Sequence, residues 1–176
     1  MIRPIEKNDI ASCLAIYNQY IEKSTVTFET ERLNLQQFTA RVDAVTERYP
    51  WIVLEEEGEV LGYAYLDSFN PRAAYQWVCD LSIYLDPSSR GKGLGSMLMD
   101  AILRLARRDG YLRMTSIITS DNVTSRRFHD KYGFRKIAEF PNIGYKNHMW
   151  LGVAYYIKDL TEELPEHPEP VRNLSL

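Results

Sequence analysis

An apolar run over residues 75–85 is stopped by Asp86-Pro87-Ser88-Ser89, and Arg90-Gly91-Lys92-Gly93-Leu94-Gly95 then leads into an amphipathic stretch over 95–108. A strand that is apolar on both faces belongs inside a sheet. Leu98, Ile102 and Leu105 at helical spacing need a surface to lie against. Glycines at such a strand-to-helix junction let the backbone approach a ligand closely, and the free N–H groups at a helix start favour a phosphate or pyrophosphate. This segment therefore holds the chain to a strand, a turn that can seat an anion, and a covering helix. A Walker A loop would need Gly-Lys-Ser/Thr after four spacers, and the dinucleotide fingerprint would need a third glycine or alanine where Ser96 stands. Neither fits, so a plain glycine-rich turn stays open until the rest of the chain is read.

The remaining periodicity predicts the order β-α-α-β-β-β-α-β-α-β-β. A strand at 2–5 precedes a helix that starts at Asn8 or Asp9 and carries Ile10, Cys13, Leu14, Tyr17, Tyr20 and Ile21. A second helix carries Leu35, Phe38, Val42 and Val45 and ends before Pro50. Residues 51–55 and 60–66 read as a hairpin around Glu56-Glu57-Gly58. A strand at 113–118, a helix at 122–132 and strands at 135–140 and 149–157 complete the series. At 176 residues and 45% hydrophobic content the chain suits one domain over 1–160. Residues 161–176, with Pro165, Pro168 and Pro170 among acidic residues, read as a loose tail.

A net charge of −3 made of interspersed charges gives no basic track for a nucleic acid, and none is expected as a partner. No run of about 18 apolar residues suggests a membrane span. The opening residues lack a signal-peptide core, so the expected location is the cytoplasm. Asn122-Val123-Thr124 and Asn173-Leu174-Ser175 then mean nothing as glycosylation acceptors. Cys13 and Cys79 have no partner at metal or redox spacing, and His148 and His167 have no ligand-type neighbours, so no metal is expected.

Arg90-x-x-Gly93-x-Gly95 resembles the acyl-CoA pyrophosphate loop of the GNAT (acyl-CoA N-acyltransferase) superfamily, in the same strand-to-helix place. Asn122-x-x-Ser125-x-x-x-His129-x-x-x-Gly133-Phe134 is similar to that family's second CoA-binding helix. Four further stretches resemble the phosphinothricin N-acetyltransferase and amino-acid N-acyltransferase branch: Tyr20-Ile21-Glu22-x-Ser24-Thr25-Val26-x-Phe28, Glu47-Arg48-Tyr49-Pro50-Trp51, Tyr75-x-Trp77, and Gly144-Tyr145-Lys146 with Trp150. The resemblance spans residues 1 to about 160. It implies an α+β fold of three layers, with a mixed, mostly antiparallel sheet flanked by about four helices.

The resemblance also implies a chemistry. Acetyl-CoA would be the co-substrate, held by backbone groups of Ile83, Tyr84 and Leu85, by Arg90, Gly91, Lys92, Gly93, Leu94, Gly95 and Ser96, and by Asn122 and Ser125. Asp80 stands where this branch usually has a glutamate that takes the amine's proton. Aspartate is one methylene shorter, about 1.5 Å, so it would act through water or another group would serve. A hydrogen-bonded strand carboxylate is the plainer reading of Asp80. His129 stands where the family has a residue that protonates the leaving thiolate, and a packed helix histidine is its plainer reading. Phe28, Arg72, Tyr75 and Tyr145 or Lys146 would meet the acceptor, and a homodimer would complete the pocket. The implied activity is acetylation of a small amino acid or an analogue such as phosphinothricin, methionine sulfoximine or methionine sulfone. A protein N-terminal acetyltransferase and a non-catalytic acyl-CoA sensor remain as alternatives.

Overall fold

The computed structural model describes residues 1–172, so Asn173-Leu174-Ser175 lies outside the described residues. The elements follow the predicted order. They are β1 (Ile2–Pro4), α1 (Ile10–Lys23), α2 (Leu35–Thr46), β2 (Trp51–Glu56), β3 (Glu59–Ser68), β4 (Val78–Leu85), α3 (Leu94–Arg108), β5 (Arg113–Thr119), α4 (Val123–Lys131), β6 (Arg135–Lys146) and β7 (Met149–Asp159).

Among the described residues seven strands form one sheet in the order β1-β2-β3-β4-β5-β7-β6. Every pairing is antiparallel except that of β4 with β5. The expected mixed three-layer architecture is the one found, with the apolar strand at the centre. Alternation along the strands divides the core in two. Trp51, Val53 and Tyr63 face α1 and α2, where Ile16, Tyr17, Phe38 and Val42 bury them. Ile52, Ala64, Leu66, Cys79 and Leu81 face the other way, onto Leu98, Met99, Ile102 and Ala106 of α3. Truncating any of the large side chains in these layers to alanine would cost about 2–5 kcal/mol.

The β2–β3 hairpin closes through Glu57 (φ 52°) and Gly58 (φ 85°), two successive left-handed residues whose twist suits a tight antiparallel turn. Three stretches differ from the sequence reading by more than two residues. β4 starts at Val78, because Ala73–Tyr75 form a single 3-10 turn. β6 runs on to Lys146, because an irregularity between Phe140 and Gly144 absorbs Pro141 and the left-handed Asn142 without ending the strand. The stretch read as a loose tail is docked as far as residue 172. Trp77 Nε1 donates to the Glu169 carbonyl at 2.8 Å, Arg172 N donates to the Asp109 carbonyl at 2.9 Å, and Val171 packs on the α3 core.

Candidate active site

The parallel pairing of β4 with β5 lasts for only three rungs, Val78 with Arg113, Cys79 with Met114 and Asp80 with Thr115. Beyond that rung β4 continues to Leu85 and β5 to Thr119, and the two strands part. The gap is filled from neither side by another strand. It opens into a cleft of about 450 Å³ lined by Ile83, Leu85, Arg90, Gly91, Gly93, Gly95, Ser96, Asn122, Ser125 and Phe128, with Tyr20, Ser24 and Val26 on the opposite wall. Nine of the residues expected to hold the cofactor thus come together around one cavity. Tyr84 points instead into the α1 layer, edge-on to Tyr17 and Tyr20, and Lys92 and Leu94 do not line the cleft.

The cleft ends on the first turn of α3. Gly93 caps that helix with φ 79° and has no side chain to bond the first amides, which leaves these donors for a ligand. Tyr20 donates its hydroxyl to the Leu85 carbonyl at 2.6 Å, and the Arg90 guanidinium lies 5.3 Å from the centre of the Tyr20 ring. Tyr20 therefore fixes the end of β4 and carries a cation at the cleft mouth. Asn122 is both a lining residue and the cap of α4, since its side chain accepts from Ser125 N at 3.1 Å. A hydrophobic shaft leading to free helix amides and an arginine suits an apolar arm that ends in a pyrophosphate.

Asp80 occupies the apex of the fork. Its Oδ1 accepts from Thr115 Oγ1 at 2.6 Å. Burial pushes its carboxyl up to about 7, the Thr115 hydrogen bond pulls the other way, and the negative charge of Asp67 adds to the rise. Asp67 is the direct cross-strand neighbour of Asp80 on β3, on the same face of the sheet. A carboxyl of this kind is part-ionised at neutral pH and can take a proton from an amine.

His129 does not reach the cleft. It is buried beneath Phe134 and Tyr156, and its Nδ1–H donates to the Ser125 carbonyl at 2.8 Å, which leaves Nε2 as a buried acceptor without a partner. Burial lowers its pKa, so the ring is neutral at pH 7.

Of the residues expected to meet an acceptor, Arg72 and Tyr75 lie at the other end of β4, whereas the Phe28 loop is tied through Thr25 to Thr119 at the cleft end of β5. Arg72 and Tyr75 are exposed on the connection between β3 and β4, where Tyr75 meets Phe69 edge-on at 5.6 Å. Phe28 lies on the loop after α1, and Tyr145 is exposed beside Trp150. Sequence reasoning missed the three bonds that hold the Phe28 loop in place. Thr119 Oγ1 donates to the Thr25 carbonyl at 2.6 Å, Asp121 accepts from Thr25 Oγ1 at 2.9 Å, and the buried Lys146 Nζ donates to the Thr27 carbonyl at 2.7 Å. Their partners are 94 to 119 residues apart, so no local pattern announces them.

Residues 2–152 match the family described as Acetyltransferase (GNAT) domain. The chain is 35% identical over 171 residues to phosphinothricin N-acetyltransferase from Streptomyces viridochromogenes, which covers 97% of this chain and 92% of that protein. It is 32% identical to an L-methionine sulfoximine/L-methionine sulfone acetyltransferase from Pseudomonas paraeruginosa, over 88% of this chain and 91% of the relative. Among solved structures, a phosphinothricin acetyltransferase from Sinorhizobium meliloti in complex with acetyl-CoA superposes with a TM-score of 0.92 at 29% identity, covering 96% of this chain and 92% of that one.

Proposed function

This chain belongs to the GNAT acetyltransferase family and is an N-acetyltransferase, and we propose that its acceptor is the amino group of a small amino acid or an analogue of the phosphinothricin or methionine sulfoximine type. The parting of β4 from β5 above Asp80 and Thr115 carries the reading. It provides one shaft for a thioester-bearing arm along Ile83 and Leu85, and the Asp80 carboxyl of raised pKa stands on the same strand at the last paired rung.

Acetyl-CoA, when bound, supplies an acetyl thioester as the donor. Ile83 and Leu85 offer strand backbone and apolar surface for its arm, and the amides at Gly93 and Gly95 with Arg90 suit its pyrophosphate. Asn122 and Ser125 add polar groups to the same lining. Asp80 takes a proton from the ammonium of the acceptor, so that the nitrogen lone pair is free to attack. Arg72 is the cation suited to an acceptor carboxylate, and Phe28, Tyr75 and Tyr145 are the surfaces for its side chain.

Exposed Phe140, Ile143, Tyr145, Met149 and Trp150 make β6 and β7 an apolar face of the kind that a second copy covers, which supports a homodimer. Two free cysteines suit the reducing cytoplasm.

Acetyl-CoA-dependent thiol release, measured against amino acids, phosphinothricin, methionine sulfone and short peptides, tests the reading. Turnover on a small amino acid or analogue supports it. Turnover on peptides alone would replace it with a protein N-terminal acetyltransferase, and tight CoA binding without turnover on any acceptor would replace it with a sensor.

A further inference from the structure

The Thr115 hydroxyl has one hydrogen and two acceptors within reach. Oγ1 is 2.6 Å from Asp80 Oδ1 and 3.3 Å from the Cys79 carbonyl. Thr115 is 2% exposed, so water has little room to stand in for it. It faces Asp80 across the last rung before β4 and β5 part, so the side-chain bond spans the apex of the fork.

We propose that Thr115 is the positioning residue that keeps the Asp80 carboxyl in one place through both of its protonation states. The inference rests on the reading of Asp80 as the base. With Asp80 ionised, Thr115 donates to Oδ1, and the short distance is that of a charge-assisted bond. When Asp80 takes a proton, the N–H bond of the acceptor ammonium breaks and an O–H bond forms on the carboxyl. With the new proton on Oδ2, Oδ1 remains a carbonyl-type acceptor and keeps the Thr115 hydrogen; with it on Oδ1, the Thr115 hydrogen swings to the Cys79 carbonyl and the Thr115 oxygen accepts from the carboxyl. The carboxyl thus keeps a partner before and after the transfer without moving. A base one methylene shorter than glutamate has less reach to recover from a misplacement, and a displacement of about 1 Å can cost two orders of magnitude in rate.

The test compares wild type with Thr115→Val, which keeps the shape and removes the hydroxyl, and Thr115→Ser, which restores it. Thr115→Ala serves if valine disturbs the fold, which thermal melts would show, and Asp80→Asn is run alongside. Removing the hydroxyl is expected to lower kcat at least about tenfold. The KM for acetyl-CoA should stay within about twofold, because Thr115 does not line the cleft. The acid limb of the kcat/KM profile should move to higher pH, since the lost bond favoured the charged carboxyl. Serine should recover most of the rate and return the limb. A folded valine or alanine variant with wild-type kcat and an unmoved limb, beside an inactive Asp80→Asn, would overturn the role of Thr115 and leave the base reading standing. An active Asp80→Asn would overturn both.

Discussion

The ring of Phe28 packs against Gly144, so close that a Cβ at that position would overlap it. Residue 28 is on the loop after α1 and residue 144 is late in β6, yet the two form one contact that presses the loop onto the sheet. The Lys146 and Thr119 bonds to the same loop secure it from either side. The loop wall of the cleft, Ser24 and Val26, and the Phe28 surface offered to an acceptor therefore move together.

Gly144→Ala tests that coupling. The φ of Gly144 is not in the left-handed range, so the backbone accepts alanine and the cost is steric alone. Displacing Phe28 should destabilise the fold by about 1–3 kcal/mol, as overpacking does. The KM for the acceptor should rise and that for acetyl-CoA should rise with it, because the Ser24 and Val26 wall of the cofactor cleft moves with Phe28. A melt and two KM values check this, and an unchanged acceptor KM would show that Phe28 does not touch the acceptor.

Asp80 should leave two marks on pH dependence. Its ionised form is the active one, so kcat/KM should fall as pH drops below about 7. Stability should run the opposite way. The folded state raises the carboxyl from 3.8 to about 7, which means that the fold disfavours the charge. That penalty is complete above about pH 7 and shrinks as pH falls toward 3.8. Asp80→Asn should therefore be nearly inactive yet raise the melting temperature of the free protein, by more at pH 8 than at pH 5. Equal shifts at both pH values would mean that Asp80 is not buried as a charge.

Much of this architecture was readable from local pattern. The three-residue limit on β4–β5 pairing was not, because strand divergence is set by what packs above and below, and nothing in 78–85 or 113–119 encodes it locally. The glycine turn was legible because positive φ at Gly91 and Gly93 demands that residue type. Thr115 was invisible for the opposite reason, since threonine is ordinary in a strand and its partner is 35 positions away. Pro141 and Asn142 look like a terminator, and only the pairing of Gly144 with Leu151 shows that the strand resumes. The Pro-rich tail has the composition of a loose end, but Trp77 and Asp109 offer it hydrogen bonds that composition cannot foresee.

His129→Leu separates packing from acid catalysis. Nδ1 is occupied by the Ser125 carbonyl, Nε2 has no partner, and the ring is neutral. Leucine fills a similar volume and removes the unpaired acceptor. The expected result is a kcat within about threefold of wild type and a stability that is unchanged or higher, since removing a buried unsatisfied group can be favourable. A loss beyond about tenfold in kcat, with an intact fold, would make His129 the donor to the leaving thiolate.

The two cysteines predict a silent background for the thiol-release measurement. Cys13 and Cys79 are both fully buried, and burial pushes the Cys13 thiol up to about 12 and raises that of Cys79 as well. A disulfide reagent such as DTNB attacks through the thiolate, so the native protein lacks both the reactive form and the access. Native protein should give no colour over the time of an assay, and unfolding in guanidinium should release two thiols per chain. Cys79 adds a second reading, because it adjoins Asp80 and its carbonyl is the alternative acceptor for Thr115. If one thiol labels in the native state and activity falls in step, β4 opens beside the fork on the assay timescale. The Asp80–Thr115 pair would then be intermittent rather than fixed.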